Sequence, residues 1–266
     1  DLVEEENATL PTWGFASSPT PLDDMMLFHT GCQPKGSLIA LSQKNGETHW
    51  RVGADEKAGY APPLIVNFSG VKQLICWGPN RIMSLPAGKG KSFWEIPYEV
   101  KYGVSITKPI FHHGIIMVSG YWEGTRAIAL GGKSDEAKLL WSDELNLRGL
   151  MSQALCRNGV CYLLDRSHGL TAFVLKTGKI LWRDNHQITA ASRNPHASLV
   201  WSQSKGDAFA LNAEGELVYF SLAKNGLKEY WREQVSAKTW AHPAFAGDRI
   251  YVRDDQSVVC FQLPIK

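Results

Sequence analysis

Short apolar runs alternate with polar turns along most of the chain. In one stretch four such runs follow one another, separated by turns of Gly, Pro, Asn and Ser, at residues 64–66, 73–77 and 81–85 and in a run that ends at Trp94. Each run has the length of a β-strand, and no window shows the periodicity of a helix. The pattern predicts a four-stranded antiparallel meander.

Tryptophan marks a repeat of this unit. Half of the ten Trp residues occupy the same local setting, after a short turn segment, and they are Trp50, Trp94, Trp141, Trp182 and Trp231. The intervals between them are 44, 47, 41 and 49 residues. Prolines that open an apolar run recur with the same period, at Pro19, Pro63, Pro109 and Pro243. Two markers in phase indicate an internal repeat.

A period of about 40 to 50 residues with four strands per unit is typical of a β-propeller, in which neighbouring blades bury each other's apolar faces. We therefore predict an all-β fold, a β-propeller of four-stranded antiparallel blades with about six blades in this chain. The predicted blades cover residues 15–53, 54–97, 98–144, 145–185, 186–234 and 235–266, and residues 1–14 form a linker or closing segment. The last blade has three predicted strands. The acidic start makes residues 1–12 a poor candidate for the fourth.

Composition and charge limit the kinds of partner that this chain can bind. The 266 residues are 44% hydrophobic and 20% charged with a net charge of +2, which is typical of a folded globular chain. Lys and Arg form no cluster, so we expect no nucleic-acid partner. No apolar stretch approaches the roughly 18 residues of a membrane helix, so we expect no membrane span. The start at Asp1, without Met or a signal-like segment, leads us to expect a mature product or a fragment.

The repeat resembles the pyrroloquinoline-quinone (PQQ)-type propeller repeat. The likeness is clearest at residues 40–50 and 172–182, which share Ala, then Asn-Gly or Thr-Gly, then Glu or Lys, and a closing Trp. The chain looks most like uncharacterised exported propeller proteins, and the family includes the outer-membrane-assembly lipoprotein. The resemblance implies that each repeat Trp docks between blades and that the protein is exported, to the periplasm or outside the cell. Since such relatives usually have eight blades, the chain is a six-bladed propeller or the C-terminal part of an eight-bladed one.

Quinone-dependent dehydrogenases belong to the same family. They need PQQ on the propeller axis, a Ca²⁺ held by Glu, Asn and Asp oxygens, and a catalytic carboxylate. The sequence has no adjacent Cys pair and no acidic cluster at the strand entrances. We therefore expect neither PQQ nor Ca²⁺ and name no catalytic residue. A quinone-dependent dehydrogenase-like or propeller hydrolase enzyme is the alternative function.

The segments just before the first strand of successive blades, here called the strand entrances, combine aromatic, small and polar residues. The candidate site residues there are Trp13, Phe15, Tyr60, Tyr102, Arg148, Trp240 and His242. In a propeller these segments converge around the channel mouth, where such residues suit a ligand or a peptide. The alternative is structural, with Gly forming a turn and the ring covering the blade. We predict a non-catalytic exported scaffold that binds a protein partner or extracellular ligand through this face.

Two of the five cysteines flank the most specific local signal. Asn158-Gly159 is the preferred type I′ hairpin turn, which makes Arg157 and Val160 the closing pair and sets Cys156 opposite Cys161. Residues opposed at a non-hydrogen-bonded position are close enough for a disulfide, although two free thiols that fill a blade interface are the alternative. The other cysteines and the His residues lack metal-ligand spacing, so no metal site is predicted.

Overall fold

The computed structural model of the chain describes residues 1–32 and 36–264. Small parts of the predicted first and last blades, at 33–35 and 265–266, lie outside the described residues. Within the described ranges the chain forms strands β1 to β23, one short helix α1 (Leu2–Glu6) and a 3-10 turn at Lys101–Gly103. The prediction of an all-β fold is confirmed.

The chain divides into two compact units, of which the first comprises residues 1–148 and 175–178. It holds three sheets, each an antiparallel meander of consecutive strands. The first sheet is β1 (Thr20–Leu22), β2 (Met25–His29), β3 (Leu38–Ser42) and β4 (Thr48–Val52). The second is β5 (Leu64–Phe68), β6 (Val71–Trp77), β7 (Arg81–Pro86) and β8 (Trp94–Pro97). The third is β9 (Ile110–His112), β10 (Ile115–Gly120), β11 (Gly124–Leu130) and β12 (Ala137–Asp143).

The second unit comprises residues 149–174 and the described residues from Lys179 onward. Its strands again pair in chain order. The fourth sheet is β13 (Leu155–Arg157), β14 (Val160–Asp165), β15 (Gly169–Val174) and β16 (Ile180–Arg183). The fifth is β17 (Ala197–Trp201), β18 (Asp207–Asn212), β19 (Glu216–Ala223) and β20 (Gly226–Gln234). The sixth has three strands among the described residues, β21 (Ala244–Ala246), β22 (Arg249–Arg253) and β23 (Val258–Gln262).

The repeat tryptophans all lie on the fourth strand of their sheets. Trp50 lies opposite Ala40 and Trp182 opposite Ala172, and the register shifts by one residue directly beyond each pair. Trp182 Nε1 donates a 3.0 Å hydrogen bond to the carbonyl of Ala223 in the fifth sheet. The indole therefore connects one sheet to the next, as the resemblance implies.

The second sheet departs from the expected strand boundary. The sequence predicts a strand that ends at Trp94, whereas β8 begins at Trp94 and continues to Pro97. That prediction was wrong because Pro86 ends β7 and has no N–H for a partner strand, so pairing with β8 starts only at Ser84, opposite Trp94.

Apolar side chains fill the space between consecutive sheets within each unit. Trp50 belongs to a cluster that combines Leu27 of the first sheet with Leu74 and Met83 of the second. Separate clusters join the second sheet to the third, the fourth to the fifth and the fifth to the sixth. Face-to-face burial between successive four-stranded sheets is the packing that propeller blades require, since one blade cannot bury both of its faces alone.

Residues before the first strand are structured. Glu6, in α1, forms an ion pair with Arg51 of β4, and Ala8 forms a β-bridge with Cys32. The sequence indicated no helix here, because a single turn of five residues is too short for a periodic pattern. The assignment of residues 1–14 as linker or closing segment, like the domain boundaries, stays a prediction.

Candidate functional site

The entrances of the first two sheets share an aromatic pair. The backbone N–H of Trp13 donates to Tyr60 Oη at 3.2 Å, and the two rings meet edge to face at 5.9 Å. Tyr60 is buried, whereas Trp13 is 60% exposed. Tyr60 therefore supports Trp13, which presents its indole to the surroundings together with the partly exposed Phe15.

The entrance of the third sheet presents a second aromatic group. Tyr102 lies in the 3-10 turn with φ of 60°, a left-handed conformation that costs a non-Gly residue about 1 to 2 kcal/mol. Its ring is 64% exposed and meets Trp122 edge to face at 5.5 Å. Lys101 Nζ lies 5.3 Å from the Tyr102 ring and 5.7 Å from the Trp122 ring, within cation–π range. The turn thus holds two rings and an ammonium group at the surface.

Trp122 was missed by the sequence analysis. It lies in the hairpin turn between β10 and β11, directly after Tyr121. Two adjacent aromatic residues in a turn, where Gly, Asn, Asp or Ser are usual, are the signal that could have found it.

Contacts of Glu123 and of the buried Tyr98 fix this turn. Glu123 Oε1 accepts the backbone N–H of Lys101 at 2.8 Å, and Tyr98 donates from its hydroxyl to the carbonyl of Gly124. Tyr98 also stacks on Trp77 with centroids 5.7 Å apart. Burial raises the pKa of Tyr98, so its hydroxyl keeps the proton that it donates. The exposed rings therefore stand on a rigid support, as a binding surface needs.

The first unit also buries a polar cluster that the sequence analysis missed. His29 Nε2 lies 3.7 Å from Cys76 Sγ and 4.0 Å from Asp55 Oδ2, and Asp55 Oδ1 pairs with Arg81 at 2.9 Å. Burial lowers the pKa of His29, although Asp55 opposes the shift. Because Asp55 is five residues before Tyr60, the cluster fixes the segment that leads into the second entrance.

In the second unit the entrances carry Trp240 and His242. Trp240 is 49% exposed and stacks on the buried His196 with ring centroids 5.1 Å apart. His242 is exposed, and its Nδ1 lies 3.0 Å from Ser198 Oγ of β17. The predicted pair is thus joined by His196 and Ser198, which the sequence analysis did not name. His196 directly precedes the first strand of the fifth sheet, the same phase as the other entrances.

His196 is buried beside Trp240 and His242. Burial, and then the neighbouring His242, lower the pKa of His196 to about 4 even though the Trp240 backbone opposes the shift. The imidazole is therefore neutral near pH 7 and acts as a flat platform under the Trp240 ring. Trp240 in turn lines an open cavity of about 590 Å³, whose wall also includes Asn194 and Arg253.

The structure thus groups the predicted residues within each unit. Trp13 and Tyr60 touch in the first unit, and the Tyr60 N–H donates to the carbonyl of Ser105, three residues after Tyr102, at 2.8 Å. Arg148 is half-buried at the end of the segment 1–148. A single ring of entrances around a channel mouth stays a prediction.

The hairpin with the two cysteines has the expected register. Asn158 and Gly159 both have positive φ, and Cys156 lies directly opposite Cys161. Both are free thiols in the structure, and a hydrogen bond from Cys161 lowers the pKa of Cys156. The disulfide stays a prediction.

Two features concern membranes and metals. In the described ranges no helix has the length and apolar character needed to cross a membrane. Among the same residues no group of three or more His, Cys, Asp or Glu side chains is placed to hold a metal ion.

Residues 7–184 and 166–263 match the PQQ-type family model described as outer membrane protein assembly factor BamB. The chain belongs to this family. It is 22% identical over 251 residues to outer membrane protein assembly factor BamB of Moranella endobia (strain PCIT), an alignment that covers 89% of this chain and 59% of the relative. The chain therefore spans about three-fifths of the length of this curated relative.

Solved structures show the same fold. The crystal structure of BamB from Moraxella catarrhalis superposes with a TM-score of 0.62 at 13% identity, over 93% of this chain and 72% of that one. The computationally designed Ika8 protein gives a TM-score of 0.57 at 11% identity, over 93% and 83%. At such low identity the similarity concerns the fold alone, and that fold is a β-propeller.

Proposed function

We propose that this protein is a non-catalytic, exported propeller scaffold that takes part in the assembly of outer membrane proteins by binding a protein partner. The family and the curated relative are both described as outer membrane protein assembly factors. The same description supports export to the periplasm. The proposal rests on this membership and on a surface in the chain that suits a protein partner.

The observation that carries the proposal is the exposed aromatic group at the third entrance. Tyr102 keeps a left-handed backbone that favours Gly or Asn, and it is nevertheless a large, mostly exposed ring. Strain that a purely structural turn would avoid is a mark of a functional position. Exposed Tyr and Trp on rigid supports are also the residues that contribute most to protein–protein binding.

The chemistry of the group indicates the kind of partner. Trp13, Tyr102 and Trp122 offer apolar faces, and Lys101 adds a positive charge between two of the rings. A partner segment with apolar side chains flanked by acidic ones would bury the rings and neutralise the ammonium group. We propose the same role for Trp240 in the second unit, where the ring stands on His196 beside the cavity.

Site-specific photocrosslinking in the periplasm tests the proposal. An aromatic photocrosslinker replaces Tyr102, and in a matched control it replaces Tyr230, a 47% exposed tyrosine on β20 outside the entrances. We expect a discrete crosslinked product at position 102, identified by mass spectrometry as an outer membrane protein assembly component or client, and none at position 230. Equal products at both positions, or none at position 102, would contradict the proposal.

A further inference from the structure

The hairpin of β13 and β14 carries two cysteines that face each other. Cys156 of β13 pairs directly with Cys161 of β14. The turn at 158–159 has positive φ at both positions, as in type I′, so the pair of residues next to the turn is hydrogen-bonded. The cysteines occupy the following, non-hydrogen-bonded position, where opposed Cα atoms lie about 4.5 Å apart.

This position allows a disulfide that is easy to reduce. Disulfides span Cα separations of about 4.4 to 6.8 Å, and most lie near 5.5 to 6 Å. A pair at the short end of this range is strained once it is bonded, and strained disulfides are more readily reduced than relaxed ones. The bond between Cys156 and Cys161 should therefore form and break as the redox conditions change.

A permanent bond at this place would add little to the stability of the chain. A crosslink stabilises a protein mainly by restricting the unfolded chain, and the effect grows with the length of the loop that it closes. Only four residues lie between Cys156 and Cys161, and the turn at 158–159 already fixes the register of the two strands. The placement therefore favours exchange over a structural role.

The two thiols differ in their accessibility. Cys161 is buried on β14, which has β13 on one side and β15 on the other. Cys156 is half-buried and lies on β13, the strand at the edge of the fourth sheet. A small reagent therefore reaches Cys156 more easily than Cys161.

The two thiols also differ in acidity. A hydrogen bond from Cys161 lowers the pKa of Cys156, although burial opposes the shift. The same hydrogen bond, together with burial, raises the pKa of Cys161. Because the thiolate is the nucleophile in disulfide exchange, Cys156 is the thiol that attacks first. Once Cys156 has reacted it carries no charge, so it no longer holds the proton on Cys161.

The other described cysteines lack this combination. Burial raises the pKa of Cys32 and of Cys76, which keeps both thiols protonated. Cys260 is exposed, but the residue opposite it on β22 is Tyr251. The hairpin pair therefore unites an accessible thiol with a second thiol that is already in place.

We propose that Cys156 and Cys161 form a reversible exchange site for low-molecular-weight disulfides such as glutathione disulfide. The Cys156 thiolate attacks one sulfur, the bond between the two glutathione sulfurs breaks, and one glutathione leaves as a thiolate that takes up a proton. Cys161 then loses its proton and attacks the Cys156 sulfur, which releases the second glutathione. Two protein thiols are thus oxidised to one disulfide while glutathione disulfide is reduced to two thiols. The inference goes beyond the proposed function and does not depend on it.

Equilibration with glutathione tests the proposal. The reduced chain is incubated with mixtures of reduced and oxidised glutathione, quenched with acid, alkylated and digested with trypsin. Trypsin cuts after Arg157, so an internal disulfide appears as two linked peptides, 149–157 and 158–166. Because two glutathione molecules are released, a tenfold rise in reduced glutathione at constant oxidised glutathione should lower the ratio of bonded to unbonded protein about a hundredfold.

Single variants separate the roles of the two thiols. Cys161→Ser keeps a hydroxyl that can donate to Cys156 but cannot complete the exchange, so glutathione should remain attached to Cys156. In Cys156→Ser, the matched variant, the buried Cys161 should react at least about tenfold more slowly. Cys260 is present in both variants and serves as an internal reference for an exposed thiol. Unchanged circular dichroism spectra show that the variants fold.

The hydrogen bond between the thiols is tested by a third variant. Cys161→Ala removes the donor, so Cys156 should react with glutathione disulfide more slowly than in Cys161→Ser near pH 7. The difference should vanish at alkaline pH, where Cys156 is ionised in both variants.

Three results would overturn the proposal. One is the absence of linked peptides at every glutathione ratio. Another is a linked fraction that stays constant across the ratios, which would make the bond a permanent structural one. The third is an equal rate of reaction for Cys156 in Cys161→Ser and for Cys161 in Cys156→Ser.

Discussion

The structure separates two classes of tryptophan, and replacing one of each tests the separation. Trp50 is a repeat Trp that is 8% exposed, in a cluster with Leu74 and Met83 of the next sheet. Trp13, at the first entrance, is 60% exposed. Trp50→Ala should therefore destabilise the first unit, while Trp13→Ala should leave its stability nearly unchanged and affect partner binding alone.

The size of the difference follows from burial. Loss of a buried Trp removes its apolar contacts and leaves a cavity between two sheets, which costs about 3 to 5 kcal/mol. An exposed substitution away from hydrogen bonds costs roughly 0.5 kcal/mol or less, and the bond from Trp13 to Tyr60 comes from the backbone, so it survives truncation. Domains are stable by only about 5 to 15 kcal/mol, so the first loss is a large fraction of the total.

Urea unfolding followed by far-ultraviolet circular dichroism measures both effects. Trp50→Phe is the matched control, since it keeps an aromatic ring in the same gap and should cost less than Trp50→Ala. If Trp13→Ala and Trp50→Ala cost the same within about 1 kcal/mol, the division between docking and surface tryptophans is wrong.

Three further outcomes follow from the site geometry. The pKa of His196 falls from 6.5 to about 4 in the folded chain. The contribution of this shift to the free energy of unfolding, about 3 kcal/mol, is therefore complete above pH 6.5 and is lost as the pH falls towards 4. His196→Gln should flatten this pH dependence, which is measured as the urea midpoint at each pH. Gly178→Ala should lower the stability more than Gly46→Ala. Both glycines have φ near 70°, but a Cβ at Gly178 would lie 3.0 Å from a tryptophan ring, whereas a Cβ at Gly46 would meet no atom within 4 Å. Thermal melts of the two variants measure the difference. Protein from the periplasm should show three rather than five free thiols in a thiol titration if Cys156 and Cys161 are bonded, and five would exclude the disulfide.

The fold could be predicted from the sequence because its determinants are local. Turn residues and apolar runs set the strands, and the spacing of Trp50, Trp94 and the later repeat Trp residues sets the sheets. Asn158-Gly159 specified a hairpin register because its positive φ values fit one turn type. The boundary at Trp94 failed because it depends on Pro86 in the preceding strand, which restricts the pairing of β7 with β8 to residues up to Ser84, opposite Trp94.

The candidate site could be predicted only in part. Trp13, Tyr60 and Tyr102 were named because they share a phase in the repeat. Trp122 lies out of phase and reaches Tyr102 only through packing of a neighbouring hairpin. His196 lies 44 residues before Trp240, which is one repeat, so the period could have located it, whereas the stacking of the two rings appears only in the packed structure.

We propose that the exposed entrance aromatics serve the assembly of outer membrane proteins. The most direct measurement is the amount of folded outer membrane protein in the natural host when the chromosomal copy carries Trp13→Ala, Tyr102→Asn and Trp240→Ala together. Asn accepts the left-handed backbone at position 102, so the chain should fold and accumulate normally. We predict a clear loss of folded outer membrane protein at equal levels of the chain, and an amount equal to that of the wild type would contradict this role of the entrance aromatics.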